Sequence, residues 1–447
     1  MDVAVDAFRT LLQPEGCESA GARAYDFVRE LYPICRSITG AGVRETLKLV
    51  GNRIPLETHE VPSGTPVFDW QVPQEWNIRD AYVKAPDGTR VIDFRKSNLH
   101  VVSYSTPVRA TMTLAELRPH LHSLPDAPDR IPYRTSYYRP SWGFCLADRD
   151  LRALGEGPYE VCIDSDLKAG SLTYAECFLP GETETEVLVY THVCHPSLAN
   201  DNASGIAVAT ELAHALSQTA HRFSYRFVFS PGTIGAITWL AQNESRVSRI
   251  AMGLILGLLG DPGPLTFKKS ARGDTFIDRM GAHVVKTLDA ASRVEDFSPY
   301  GYDERQFCSP GFNLAVGRLT RSANNAYPEY HSSGDDLNLV QPRYLASSLC
   351  AAARIIEGLE RDATYVNTLP KCEPQLGKRG LYRVTGGTHP SGREHALLWI
   401  LNQSNGERSL LDIAERANMP FTVIRSAADD LLHSGLLSIR DGRSGSS

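Results

Sequence analysis

Glu186-Val-Leu-Val-Tyr-Thr-His192-Val-Cys-His195-Pro-Ser-Leu-Ala-Asn-Asp201-Asn-Ala-Ser-Gly-Ile-Ala-Val-Ala-Thr-Glu-Leu-Ala-His-Ala-Leu216 is the stretch whose reading decides the fold. It opens on Val187, Leu188 and Val189, a β-branched apolar run of the length of a buried strand. His192 and His195 stand at the strand's end, a short loop carries Asp201 and Asn202, and small apolar residues from about Ala203 to Leu216 predict a helix. Asp, Asn and Ser at a helix start satisfy orphan N–H groups, so the bland reading of Asp201-Asn202 is an N-cap. A carboxylate there, opposite a His at a strand's C-terminal end, is also how an open α/β sheet presents metal ligands.

Downstream the pattern continues as strand and helix in alternation. Strands are expected at 186–193, Tyr225–Ser230, Ile250–Leu259 and Phe312–Gly317, and helices at 203–217, 234–244, Thr275–Ala291 and Pro342–Glu360. Such alternation predicts an α/β fold, a mixed sheet with helices on both faces. Residues 1–60 and 181–372 are assigned to this domain, with helices over 20–50. Between them, 61–180 is rich in Pro, Tyr, Trp and Thr. The turn Pro86-Asp-Gly-Thr between Asp80–Lys84 and Arg90–Phe94 is a hairpin signal. Leu99–Tyr104, Thr111–Leu117 and Tyr159–Asp164 add strands to what reads as a β-rich insertion. Its crowded Tyr133, Tyr137, Tyr138 and Trp142 are read as a subunit interface ahead of a pocket cover, which makes a homo-oligomer the expectation. Residues 385–441 read as a winged helix-turn-helix, with helices at 394–403, 409–417 and 420–434 before Gly435-Leu-Leu-Ser-Ile-Arg, and 442–447 as a disordered tail.

Composition narrows the function classes. A chain of 447 residues exceeds one ordinary core, and 42% hydrophobic with 22% charged residues is the balance of a globular protein. A net charge of −6 gives no general attraction to nucleic acid or anionic membrane. Over 391–447 there are six Arg, no Lys and seven Asp plus Glu. The winged helix therefore lacks the basic face that phosphate neutralisation needs, and no nucleic-acid partner is expected. No apolar run reaches transmembrane length, and nine scattered cysteines without paired spacing suggest reduced thiols in a cytoplasm.

Metal catalysis on such a fold needs imidazole and carboxylate ligands from the ends of several strands, plus a base. The candidates in chain order are His192, Asp201, Asp261, Asp303, Glu304 and His331. None is decisive alone: Asp261 before Pro262 and Gly263 is an ordinary turn former, and a single His after a strand is more often a loop residue.

At these residues the chain resembles the zinc aminopeptidases of the bacterial leucyl aminopeptidase type. More closely, it resembles the bacterial aminopeptidase-like domain proteins often encoded near polysaccharide or natural-product genes. The motifs that carry the resemblance are Glu75-Trp-Asn-Ile-Arg-Asp, His192-Val-Cys-His-Pro-Ser, Asn200-Asp-Asn, Asp296-Phe-Ser-Pro-Tyr-Gly-Tyr-Asp-Glu-Arg-Gln-Phe and Tyr327-Pro-Glu-Tyr-His-Ser. The resemblance implies His192, Asp201 and His331 as zinc ligands, with Asp201 bridging if two ions bind, and Asp261 where the third carboxylate falls. It places Asp303 and Glu304 in the loop bordering the metal, with Tyr302, Arg305, Arg321 and His195 positioning substrate.

One departure outweighs the matches. Where the family pattern is Pro-Glu-Thr-Ile-Gly, this chain has Pro231-Gly232-Thr233-Ile234-Gly235. In the zinc aminopeptidases the acidic residues here supply the general base and a metal ligand; Gly232 supplies neither. Glu304, Glu329 and Asp335 are the candidate stand-ins. Cys194 stands where the broader class has an Asp orienting the first His, and Leu254-Ile-Leu-Gly-Leu-Leu-Gly-Asp261 is more apolar than expected. The reading is a zinc-dependent hydrolase, with one or two ions, of an amide or peptide-like bond in a small metabolite or biosynthetic intermediate. Its alternatives are a metal-dependent enzyme that joins, transfers or eliminates, and a non-catalytic relative that binds a ligand or partner.

Overall fold

The computed structural model describes residues 7–382 and 391–440; the expected tail at 442–447 lies outside them. Strand Glu186–His192 is buried along its whole length, as a near-continuous apolar run in a parallel sheet should be. It pairs in parallel with Ser224–Ser230 on one side and Ile250–Leu256 on the other. The full sheet has eight strands in the order Glu57–Pro62, Ser171–Leu179, Ser224–Ser230, Glu186–His192, Ile250–Leu256, Val316–Thr320, Thr266–Lys268 and Arg293–Glu295.

From the central strand the chain runs through helix Gly205–Ser217 to the neighbour on one side. It then returns through Ile234–Asn243 to the neighbour on the other. That reversal makes the C-terminal end of Glu186–His192 the topological switch point, where an α/β sheet opens a crevice. Period-2 alternation divides the core between two faces. Val187 and Val189 pack with helices Pro14–Leu31, Gly205–Ser217, Phe276–Leu288 and Pro342–Arg361. Leu188 and Tyr190 pack with Ile234–Asn243 and the short helix Glu304–Phe307. The mixed sheet covered on both faces is thus as the alternation predicts.

Local differences have local causes. Ser171–Leu179 pairs antiparallel with both Glu57–Pro62 and Ser224–Ser230, so both flanks of the presumed insertion belong to the main sheet. Between them lies a four-stranded antiparallel sheet, Arg90–Asp93, Glu75–Lys84, Tyr159–Lys168 and Val108–Met112, with Val83 opposite Ile92 in the expected hairpin. The expected strand Leu99–Tyr104 is instead a turn at Asn98–His100 followed by isolated bridges. The strand expected over Thr111–Leu117 stops at Met112, because Thr113 and Glu116 form a capping box that starts helix Leu114–Leu117.

At the C-terminus, helices Gly392–Gln403, Leu410–Ala417 and Phe421–His433 pack on strands Asn405–Ser409, Thr364–Asn367 and Leu437–Ile439. The first strand of this winged helix therefore precedes the expected start at 385 by some twenty residues. Arg279 donates to Asp412 and Glu415, tying the unit to helix Phe276–Leu288. Among the described residues no helix is long and apolar enough to cross a membrane, and all nine cysteines are free.

Three strands of the main sheet are also joined by charge. Arg226 donates to Glu176 and Glu186, all three are buried, and Trp239 donates its indole N–H to Glu176. Removing the cation leaves two buried carboxylates without a counter-charge, a loss of about 3–5 kcal/mol. Arg226→Met is therefore expected to lower unfolding stability by that amount in urea titrations, whereas Arg222→Met, at a half-buried position, should cost less.

Candidate metal centre

The switch-point crevice holds a cluster built on one carboxylate. The broad turn Ala199–Ser204 gives Asp201 and Asn202 non-helical backbone, and regular helix begins only at Gly205. Asp201 does not cap that helix. Its Oδ1 lies 2.8 Å from Nε2 of His192, and its Oδ2 lies 3.1 Å from Nε2 of His331 and 3.9 Å from Nε2 of His195. Donor atoms of His192, His195 and Asp201 all fall within 4.8 Å of one another. Burial pushes the His195 imidazole down to about 3 and lowers His192, so both rings are neutral. Burial alone would raise the Asp201 carboxyl, but the surrounding imidazoles more than offset it and hold it well below its usual range.

Buried polar groups fix the turn. Asp335 accepts from the backbone N–H groups of Asn200 and Asp201 and from the Tyr327 hydroxyl. Asn202 donates to Thr191 Oγ1 and His192 O, and accepts from Leu258 N–H. Arg36, 1% exposed, donates to the carbonyls of His195 and Leu31 and so anchors the second histidine's loop to the first long helix. Sequence reasoning passed over Arg36, which no motif marks. It placed His195 on the substrate side, although the His192-x-x-His195 spacing at a strand end already marked a second imidazole.

Several expected site residues stand elsewhere. Asp261 is buried, but it accepts from Asn200 Nδ2, Gly263 N–H and the Ser322 hydroxyl. Its oxygens brace loops, and it stands outside the group formed by His192, His195 and Asp201. The strand end that faces the cluster is Gly257 instead: a β-carbon there would lie 3.6 Å from His192 Cε1. Glu304 accepts from Lys268 at 2.8 Å and from the Tyr302 N–H. Glu329 pairs with Arg130 at 2.9 Å, tying the insertion to the His331 loop. Arg321 donates to Gly263 O and lies over Tyr344, away from the cluster. Cys194 meets His195, with Sγ 3.3 Å from Nδ1, rather than orienting His192, whose Nδ1 is buried without a partner.

The departure at Gly232 has a structural counterpart. A β-carbon on Gly232 would lie 1.9 Å from the Tyr302 hydroxyl oxygen. The phenol ring of Tyr302 fills that space and stacks on His192, with centroids 3.8 Å apart. Its hydroxyl lies 3.5 Å from Cys194 Sγ, and burial raises it well above its ordinary range, so it stays protonated. Behind Gly232, the Thr233 N–H donates to Asp303 Oδ1 at 2.7 Å. Asp303 Oδ2 has no partner, and burial pushes this carboxyl up to about 7.

Above the cluster opens a cleft of about 660 Å³, lined by Tyr133, Tyr137, Tyr138 and Trp70 from the insertion and by Tyr302, Arg305, His195 and His331 from the main domain. The insertion's tyrosines thus wall the cleft, the pocket-cover placement that the sequence reading ranked second to a subunit interface. Trp142 lies apart, stacked on His120.

The donor set fits a metal ion. Neutral imidazoles and a carboxylate suit zinc, and donors at 2.0–2.1 Å from a tetrahedral ion stand about 3.3 Å apart, close to the 2.8–3.9 Å spacings around Asp201. His192, His195, His331 and Asp201 are the residues that would hold it.

Comparison with known proteins agrees with this architecture. A family model described as a domain of unknown function (DUF4910) matches residues 25–362, and a winged helix-turn-helix model matches 363–439. A Clostridium acetobutylicum protein, provisionally named a polysaccharide biosynthesis protein with aminopeptidase-like domain, is 49% identical over 95% of this chain and 98% of its own. A crystal structure of a provisionally assigned peptidase from C. acetobutylicum superposes with TM-score 0.90 at 48% identity, covering 96% of this chain and 98% of that one. A zinc aminopeptidase from Bacillus subtilis, 12% identical, shares the fold with TM-score 0.56 over 76% of this chain and 95% of its own. The chain belongs to the DUF4910 family, together with its aminopeptidase-like domain relative from C. acetobutylicum, and carries a winged helix at its C-terminus.

Proposed function

We propose that this chain is a zinc-dependent hydrolase of an amide or peptide-like bond in a small metabolite or biosynthetic intermediate. The observation that carries the reading is the convergence of His192, His195 and His331 on the buried carboxylate of Asp201 beneath an open cleft. Bound zinc would polarise a carbonyl and lower the pKa of a water. The name of the 49% identical relative, with its polysaccharide biosynthesis and aminopeptidase-like domain, supports a biosynthetic setting for such chemistry.

The chain's own groups shape the reaction. Tyr302, held protonated by burial, is a hydrogen-bond donor beside the cluster, suited to an oxygen that gains charge. No carboxylate stands at Gly232, and positioned general acid–base groups are worth about 10²–10⁴-fold in rate. Glu304 and Glu329 do not replace it, being committed to Lys268 and Arg130; Asp335 is committed to backbone amides. This missing base favours a second reading with the same pocket, acyl transfer or elimination in place of hydrolysis. In the winged helix two arginines are already paired: Arg425 with Asp429, while donating to Tyr365, and Arg393 with Asp430.

Elemental analysis of protein purified without a metal-binding tag is expected to find about one equivalent of zinc, lost in His192→Ala and His331→Ala. Protein that stays metal-free in zinc-supplemented buffer would overturn the proposal. Gly232→Glu alone must collide with Tyr302. The double variant Gly232→Glu/Tyr302→Ala makes room for a carboxylate and should gain hydrolysis of aminoacyl amides by about tenfold or more. A folded double variant without any gain would place residue 232 outside the reaction. Asp303 supplies a pH test. Its folded value of about 7 lies above the ordinary 3.8, so its contribution to stability is full below the unfolded value and is lost as pH rises through about 7. Thermal melts of Asp303→Asn should therefore lack part of the decline that the parent shows between pH 4 and 7.

A further inference from the structure

The cleft above the cluster has a chemistry of its own. None of the residues lining it is acidic. Its one permanent charge is Arg305, which is exposed and makes no hydrogen bond or ion pair among the described residues. An unpaired guanidinium at the mouth of a pocket is suited to carboxylate or phosphate, which it grips through a planar fork of N–H donors.

The wall supplied by the insertion is aromatic and open to solvent. Trp70 is 40% and Tyr138 54% exposed, and their rings meet edge to face at 5.2 Å and 62°. Tyr137 and Tyr138 stand at 75°, and Tyr133 and His331 at 85°. Faces turned so steeply to one another cannot sandwich a flat base between parallel rings. They do offer separate π-faces to the C–H bonds of a puckered ring, whose positive hydrogens complement the negative aromatic face. The neutral polar groups among them include the hydroxyls of Thr135, Tyr138 and Thr233 and the amide of Gln306, the partners a polyhydroxylated ring requires. The cleft volume lies within the range of small-molecule sites.

We propose that the cleft binds an anionic, N-acylated sugar, its ring against Trp70 and Tyr138, its negative group on Arg305 and its amide toward His331 and Tyr302. This rests on the proposed amide chemistry for the choice of an acylated ring, but the binding itself does not depend on turnover. The acid could be a ring carboxylate or a phosphate, and the probes separate the two.

The test is saturation-transfer NMR and calorimetric titration of the full-length protein, as purified and again after chelation, with three probes. These are N-acetylneuraminate, N-acetylglucosamine 1-phosphate and neutral N-acetylglucosamine. At least one acidic probe is expected to bind about tenfold more tightly than the neutral sugar. Arg305→Ala should abolish that difference while leaving the neutral sugar unchanged, and Arg305→Lys should keep part of it. Trp70→Ala should weaken all three probes, with the melting temperature of each variant unchanged. Equal binding of neutral and acidic sugars, an unaltered preference in Arg305→Ala, or no binding by any probe would each overturn the proposal. Preferential binding that survives chelation in a protein without zinc or hydrolysis would sustain it while overturning the proposed activity.

Discussion

A buried carboxylate facing three imidazoles is the constraint on which the rest of the molecule depends. Asp201 is fully buried, and a lone charge in such a place would cost several kcal/mol or take up a proton. Its charge is sustained only because His192, His195 and His331 stand around it, and each comes from a different distance along the chain. The turn that presents it is equally dependent. The amides of Asn200 and Asp201 point at Asp335, and Asn202 stitches the turn to the end of the central strand and to Leu258. Moving any one of these elements would leave buried polar groups without partners.

That constraint explains why so many charged residues near the crevice stand outside the cluster. Asp261, Glu304, Glu329 and Asp335 are all drawn into loops around the cluster, and each is occupied by donors of its own. They form the scaffold that lets a few side chains converge. Arg36 does similar work from outside the sheet, where a buried guanidinium holds the carbonyl that positions His195. Such groups carry little sequence signature because their partners are backbone atoms, whose position is set by the fold alone.

The pairing of Gly232 with Tyr302 gives the site its individuality. In the space a side chain at 232 would use lies an aromatic ring stacked on His192. The crevice thereby holds a protonated phenol in the space that a side chain at 232 would take. An aromatic wall supplied by the insertion, and an Arg305 that forms no ion pair among the described residues, complete the pocket around that phenol.

By itself the sequence determined the strand–helix alternation from Glu186 onward, the hairpin at residues 80–94 and the winged helix, because each rests on local periodicity and turn chemistry. His192, Asp201 and His331 were legible through motif and order. The tertiary structure decided what depends on long-range pairing. Ser171–Leu179 reads as part of a β-rich insertion, yet its hydrogen bonds go to the main sheet. Asp261 falls where the resemblance implies a third carboxylate, yet Asn200 and Ser322 donate to its oxygens, while Gly257 holds the position facing His192. His195 joins the cluster only because the loop after the strand folds back over Asp201. Spacing along a chain limits which residues can meet; the packing of distant backbones determines which of them do.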